Sequence, residues 1–193
     1  MMLDIHFDFI AGVLRKEGYD VEILQNDSQE VIEDGLKNVH NDMCYPALLV
    51  IGQFINALKS GKYNLNRVAL LLTQTGGGCR ASNYICLLRK ALDNNGFTQV
   101  KVFSLNFAGL EKGNEFSLSF RAGVRLFQSI LYGDLLMLLY NQSVALEKNI
   151  GDTKKTLLYW KKKLVEDIGK KKFSKLKENY RNILEDFASI PKN

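Results

Sequence analysis

The sequence predicts an α/β fold, a three-layer Rossmann-like parallel sheet of three to four strands with a helical C-terminal half. Short strand-like runs alternate with amphipathic helical patterns up to residue 106, and the connections between them are short. Residues 68–72 are apolar throughout, as in a strand covered on both faces. Only helical periodicity follows residue 118. We therefore expect a Rossmann-like unit over 1–106 and a helical extension over 107–193 packed on it.

The predicted elements follow from periodicity and from residues that begin or end helices. Gly18, Gly61 and Gly96 each follow a helical pattern, where a left-handed residue ends a helix, and Pro46 begins one. The predicted helices cover 3–16, a segment capped by Asn26 or Ser28 that runs to about 39, 46–60, 81–94, 118–146 and two segments after 151. The predicted strands cover 20–24, 68–73 and 100–105, and 107–116 is a loop. Because a parallel sheet normally begins with a strand and has more of them, we expect a fragment of a larger protein.

The composition is that of a globular protein, with 46% apolar and 24% charged residues. No apolar run reaches the roughly 20 residues that span a membrane, and three irregularly spaced cysteines argue for reduced thiols, so we expect a cytoplasmic protein. Residues 151–193 hold 12 basic and 6 acidic side chains, a balance of +6. The lysines interleave with an apolar helical stripe, which favours a solvated helix face over nucleic-acid binding.

The segment from Gln74 to Asn83 is the first candidate site. It follows the predicted strand 68–73, where ligands collect in parallel sheets, and its glycines can present backbone N–H groups to an anion. The next helix N-terminus and Arg80 favour the thiolate form of Cys79. The glycines also fit a tight turn past a neighbouring helix, and neither a Walker A nor a GxGxxG motif is present, so ATP and NAD binding have no support. The candidate anion or CoA ligands are Gly76, Gly77, Gly78, Arg80 and Ser82, supported by Gln74 and Asn83.

Cys44 is the second candidate, just before Pro46 at a predicted helix N-terminus, with Asn41 and Asp42 as polar neighbours. A buried small side chain is the alternative for Cys44. Cys86 follows Ile85 on an apolar helix face, and we expect it in the core. With two histidines and no paired Cys-His spacing, a zinc site within the chain has no support. We expect the loops of Cys44 and Cys79 to meet at one edge of the sheet.

Residues 39–53 (VHNDMCYPALLVIGQ), 60–64 (SGKYN) and 73–92 (TQTGGGCRASNYICLLRKAL) resemble the C-terminal region of 2-hydroxyacyl-CoA dehydratase activase-related proteins. The segments 103–106, 131–136 and 140–142 are similar as well. The resemblance implies an anaerobic system in which an ATP-dependent activator passes an electron to a dehydratase component that holds a 4Fe-4S cluster on cysteine thiolates. It makes Cys44 and Cys79 candidate ligands, with further ligands and partners in upstream domains or another subunit, and acyl-CoA as the substrate class. The alternative is a CoA-binding or subunit-assembly module without a cluster. In neither case do we expect catalysis by this chain alone.

Overall fold

The computed structural model describes residues 4–40, 42–74, 83–106, 119–169 and 175–192. These ranges hold seven helices and two strands. In chain order they are α1 (Asp4–Lys16), α2 (Gln29–Asn38), α3 (Tyr45–Lys59), β1 (Ala69–Gln74), α4 (Tyr84–Asn94), β2 (Lys101–Asn106), α5 (Phe120–Val144), α6 (Asp152–Gly169) and α7 (Leu176–Ala188). The predicted loop over 107–116 lies outside the described residues.

The predicted fold class is wrong, because the described chain is mostly helical and its sheet has two strands. β1 and β2 pair in parallel, from Ala69 opposite Lys101 to Gln74 opposite Asn106, with α4 between them in sequence. This is a single βαβ unit, not a Rossmann-like sheet of three to four strands. Among residues 68–72 of the predicted interior strand, Leu70 alone is buried, and Ala69 is exposed.

Residues 20–24, predicted as a strand, belong to neither a strand nor a helix. The alternation of apolar and polar side chains there is real, but strand pairing also needs a neighbouring backbone. The Arg15 side chain instead donates to the Val21 carbonyl, with 3.0 Å between Arg15 Nε and Val21 O. Because the Val21 carbonyl already accepts from a guanidinium, its hydrogen-bonding requirement is met without a neighbouring strand.

Three helices end as their glycines predicted. Gly18 has φ +95°, Gly61 has φ +73° and Gly96 has φ +75°, all in the left-handed region. At the first, the Tyr19 N–H donates to Leu14 O at 3.2 Å and the Gly18 N–H to Arg15 O at 3.1 Å. The end of α4 has the same pair of hydrogen bonds. In the longer of the two loops, the Phe97 N–H donates to Leu92 O at 2.9 Å. This is the Schellman arrangement, which satisfies the last carbonyls of a helix.

The contacts divide the chain into one unit of residues 24–117 and another of residues 1–23 with 118–193. This division differs from the expected 1–106 and 107–193, because α1 packs against α5 and α6. We call the first the central unit and the second the helical unit.

In the central unit, α2 packs directly on α3 because glycines remove side chains from their contact. A Cβ at Gly52 would overlap the carbonyl of Val31, and one at Gly35 would overlap the carbonyl of Leu48. An adjacent face of α3 carries Ile51 and Ile55, which are fully buried. They belong to a core completed by α4 and the strands, whose buried members are Val39, Ile51, Ile55, Leu58, Leu70, Leu88, Ala91, Leu92 and Val100.

The helical unit contains α1, α5, α6 and α7 around a core in which Trp160 is the largest buried side chain. Trp160 Nε1 donates to Asp186 Oδ2 at 2.9 Å, so the buried indole has its hydrogen-bond partner. His6 on α1 is also buried, and its Nε2 lies 3.0 Å from Asp134 Oδ1 on α5. Gly133 lies beneath the His6 ring, where a Cβ would come within 2.8 Å of the ring carbon Cγ.

One described helix, α5, is long and apolar enough to cross a membrane, with a mean hydropathy of 1.3 over its best window. Length and composition do not separate a membrane span from the core helix of a soluble protein. α5 packs against α1, α6 and α7, and it carries the buried polar residue Ser129. This packing is compatible with the soluble protein that the sequence predicts.

The lysine-rich helix α6 buries Leu157, Trp160 and Leu164 and exposes Lys154 and Lys162, as a solvated polar face does. Two other positions of the predicted apolar stripe, Leu158 and Leu184, are about half exposed, so the buried stripe is narrower than expected. The second lysine run, Lys170 to Lys172, lies outside the described residues.

Gly133→Ala should lower the free energy of unfolding by about 1–3 kcal/mol, the usual cost of overpacking, because its methyl group would displace the His6 ring. Gly123→Ala is the matched control in the same helix, since a Cβ there meets nothing within 4 Å. The control should raise stability by up to about 1 kcal/mol through helix propensity. Urea unfolding followed by circular dichroism measures both. Equal effects of the two substitutions would contradict the close contact between α1 and α5.

Glu147 should make the helical unit less stable in acid. Its carboxylate accepts from the Gly151 N–H at 2.7 Å and the Thr153 N–H at 2.8 Å, and these bonds hold the pKa of Glu147 below its ordinary value of 4.5. A carboxyl group with a lowered pKa stabilises the fold above that ordinary value, and this contribution is lost as pH falls through the folded-state pKa. Glu147→Gln should therefore be less stable than wild type at pH 7, and the difference should shrink toward pH 3. Glu166→Gln, at an exposed position on α6, is the control, and a pH-independent difference for Glu147→Gln would contradict the mechanism.

Candidate functional site

The candidate site lies in the central unit, where the N-termini of α3 and α4 meet. Cys44 is the N-cap residue of α3, with extended backbone angles (φ −69°, ψ 149°), and Tyr45 and Pro46 begin the helix. The Cys44 carbonyl accepts from the Ala47 N–H at 3.0 Å, which closes the first turn. The Cys44 side chain is exposed at this helix end. The alternative prediction of a buried small side chain is therefore wrong.

Tyr84, the first residue of α4, lies beside this thiol. Its hydroxyl oxygen is 3.1 Å from Cys44 Sγ, within the hydrogen-bond distance for sulfur, and either atom can be the donor. The two residues are 40 positions apart in the chain. The contact joins the start of α3 to the start of α4. The loop of Cys79, which was expected to meet that of Cys44 at one edge of the sheet, lies outside the described residues, so that expectation stays a prediction.

The other predicted site residues are described in part. Asp42 is exposed, and its carboxylate Oδ2 lies 3.3 Å from His40 Nδ1, which also accepts from the Asp42 N–H at 3.2 Å. Asn83 is the exposed N-cap residue of α4. Gln74 is the last residue of β1, and nothing further is described of its side chain. The remaining predicted residues lie outside the described ranges: Asn41, Gly76, Gly77, Gly78, Cys79, Arg80 and Ser82.

The electrostatic setting favours a thiolate at position 44. The first backbone N–H groups of α3 have no carbonyl partner within the helix, and the helix dipole adds partial positive charge at this end. A hydroxyl at hydrogen-bond distance can donate to the sulfur when it is ionised. Exposed thiols at helix N-termini are the reactive and metal-binding kind.

Cys86 was predicted in the core, and this prediction is wrong. Ile85 and Leu88 are the buried residues of this turn of α4, whereas Cys86 is exposed on the opposite side of the helix. Its sequence neighbours are apolar, but its angular position on the helix is not that of the buried face.

Sequence reasoning missed two side chains of the site, Tyr84 and His40. The signal for Tyr84 was its position at the start of a helix directly after the glycine loop, where a side chain can reach a neighbouring helix end. His40 lies four residues before Cys44, and its carbonyl accepts from the Met43 N–H at 3.0 Å. Only a predicted turn at 40–43 would have placed it near Asp42.

A groove of about 360 Å³ lies between α2 and α3 in the central unit. It is lined by Glu30, Glu33, Asp34, Lys37, Asn56, Lys59 and Ser60. Its buried charge, Asp34, is already compensated, because Lys59 Nζ lies 2.6 Å from Asp34 Oδ1 and Asn56 Nδ2 lies 3.4 Å from Oδ2. The ion pair between Asp34 and Lys59 thus links the two helices that form the walls of the groove.

Over the described ranges, no three or more His, Cys, Asp or Glu side chains cluster in a way that could hold a metal ion. Comparison with models of known protein families, with curated proteins and with solved structures finds no match. The resemblance drawn from the motifs therefore stays a prediction, and the geometry around Cys44 is the observation on which a function can be built.

Both described thiols should react in the folded chain. Treatment with iodoacetamide under native conditions, followed by peptide mass spectrometry, should label Cys44 and Cys86, because both are exposed. Protection of Cys86 until the chain is denatured would contradict its described position and would restore the core interpretation.

Proposed function

We propose that this chain is a thiolate-bearing domain of an iron–sulfur system of the 2-hydroxyacyl-CoA dehydratase type, in which Cys44 is a cluster ligand. The observation that carries the proposal is the exposed Cys44 thiol at the N-terminus of α3, 3.1 Å from the hydroxyl of Tyr84. The two residues belong to two separate segments of the motif resemblance, and the fold brings these segments together.

The donor chemistry of Cys44 fits such a cluster. Iron–sulfur clusters are held by cysteine thiolates, and the helix N-terminus favours that ionised form. An exposed position lets the sulfur reach a group that other residues or another chain also hold. When bound, the cluster would supply transfer of single low-potential electrons. Cys44 would hold one iron, and the Tyr84 hydroxyl lies beside the ligand sulfur.

The described residues supply one ligand of the four that a 4Fe-4S cluster normally takes. Cys79 is the second candidate from the sequence, and the remaining ligands would come from upstream domains or an activator or dehydratase subunit. Gly76, Gly77, Gly78, Arg80 and Ser82 remain the candidate ligands for an anion or for acyl-CoA. In this role the chain is one part of a lyase system and works in the reducing cytoplasm.

A subunit-assembly module without a cluster is the second candidate. It is favoured by large apolar side chains on the outer face of α5, where Phe120 is 88% exposed and Phe127 is 61% exposed. Exposed apolar groups of this size are typical of contacts with another chain.

Anaerobic reconstitution with iron and sulfide, followed by iron analysis and visible absorption, tests Cys44 as a ligand. The variants are Cys44→Ser, Cys79→Ser and Cys86→Ser. Cys44→Ser should lower bound iron at least severalfold, because an alcohol is a far poorer iron ligand than a thiolate. Cys86→Ser is the matched control, since it removes another exposed thiol of the same unit and should leave bound iron unchanged.

Wild-type iron content in Cys44→Ser would refute the cluster proposal for this residue. Calorimetry with CoA and an acyl-CoA in the absence of metal then tests the alternative of a CoA-binding module. Such a module needs no cluster, so it should bind CoA or acyl-CoA without metal. Sedimentation of wild type and Phe127→Glu examines self-association through α5, which the substitution should weaken.

A further inference from the structure

The side of α5 that faces away from its buried residues carries a regular stripe of apolar side chains. α5 packs against α1, α6 and α7. Its buried residues are Ala122, Leu126, Ser129, Tyr132, Gly133, Leu136 and Ser143. On the opposite side of the helix, steps of four and three residues join Phe120, Val124, Phe127, Leu131, Asp134 and Leu138. We call these six residues the outer stripe.

The outer stripe is accessible along its whole length. Phe120 is 88% exposed, Phe127 is 61% exposed and Leu138 is 53% exposed, whereas Val124 and Leu131 are partly exposed. Alternating steps of four and three residues are the spacing of a coiled-coil seam, which packs against the seam of another helix. The apolar side chains of the outer stripe are thus arranged for contact with a further helix.

We propose that the outer stripe binds the outer stripe of a second copy of this chain, with the two α5 helices antiparallel. The inference rests on the second candidate function, subunit assembly, and names its partner and geometry. It does not depend on the iron–sulfur cluster.

An antiparallel pair has a register in which apolar residues meet apolar residues. With a two-fold axis level with Ser129, Phe120 lies opposite Leu138 of the other copy, and Phe127 lies opposite Leu131. The two-fold axis makes each of these contacts twice. The four largest exposed apolar positions of the outer stripe are thereby covered together.

The charges favour the antiparallel direction. Asp134 is the charged residue of the outer stripe; its side chain is 58% exposed, and its Oδ1 lies 3.0 Å from His6 Nε2. In a parallel pair the two Asp134 carboxylates would face each other and repel. In the antiparallel pair each Asp134 lies opposite Val124 and within about one helical turn of the exposed Arg121 of the other copy. The surface is therefore complementary to itself in charge as well as in its apolar residues.

A lipid surface fits the same face less well. A carboxylate in the middle of the stripe is costly in hydrocarbon, and so are the flanking polar side chains of Arg121, Gln128 and Gln142. A pair of helices leaves those flanking positions in water. A single polar residue within a seam also fixes the register of the pair.

Site-specific photo-cross-linking in the full chain tests the pairing. Benzoylphenylalanine in place of Leu138 should give a covalent dimer on a denaturing gel, linked by mass spectrometry to residues near Phe120. These two positions are about 27 Å apart along one helix, so a link between them joins two copies. Benzoylphenylalanine in place of Leu184, a half-exposed leucine on α7, is the matched control and should give no covalent dimer.

Charge reversal tests the register independently. Arg121→Glu places a second carboxylate near Asp134 of the other copy and should raise the Kd of the dimer, measured by sedimentation equilibrium, by roughly threefold to thirtyfold. Lys162→Glu makes the same change of charge at an exposed position on α6 and should leave the Kd unchanged. An equal rise of the Kd in both variants would overturn the inference.

The remaining outcomes separate this inference from the proposed function. A dimer whose cross-links from position 138 lead to residues near 138 of the other copy, or to another surface, keeps subunit assembly and overturns the antiparallel pairing. Wild type that stays monomeric at millimolar concentration overturns both. Flotation of wild type with vesicles of phosphatidylcholine and phosphatidylglycerol that is lost in Phe127→Glu would assign the stripe to a lipid surface and overturn the inference. None of these results changes the iron content that tests Cys44.

Discussion

The central unit depends on the close packing of α2 against α3, and that packing depends on two glycines. Because Gly35 and Gly52 have no side chains, the backbones of the two helices lie in contact where any Cβ would overlap a carbonyl. An adjacent face of α3 is anchored by Ile51 and Ile55 in the core shared with α4. With both faces packed, α3 is fixed in place, and its N-terminus presents Cys44 to the start of α4. The thiol site is therefore a product of helix packing rather than of the sheet.

Much of the secondary structure was predictable, and the fold class was not. Helical periodicity with Gly18 and Gly96 located α1 and α4 to within a few residues, and the apolar runs near 70 and 102 were identified as parallel strands. The error was to extend this pattern into a layered sheet. Local alternation at 20–24 carries no information about whether a neighbouring backbone is present, and here the Arg15 side chain takes the Val21 carbonyl. Fold class depends on which helices and strands pack together when they are far apart in the chain. Such pairings cannot be read from the local pattern of a single sequence.

The site shows the same division between local and distant information. The position of Cys44 before Pro46 was enough to predict a thiol at a helix N-terminus, because capping is a local property. Its contact with Tyr84 joins residues 40 apart and was not visible in the sequence. The error at Cys86 has a geometric cause, since its apolar neighbours hide that it lies on the far side of α4 from Leu88. Apolar context predicts burial only together with the angular position on the helix.

The pairing of α1 with α5 and α6 also has a consequence for the order in which the chain folds during synthesis. The central unit is encoded without interruption, so all its helices and both strands leave the ribosome before α5 does. The first helix of the chain has its partners only after residue 118. Until then its buried face, which includes Phe9 and Val13, has no core to join. During synthesis α1 thus waits through the whole central unit for the helices that cover it, and an apolar face left uncovered in this way favours aggregation.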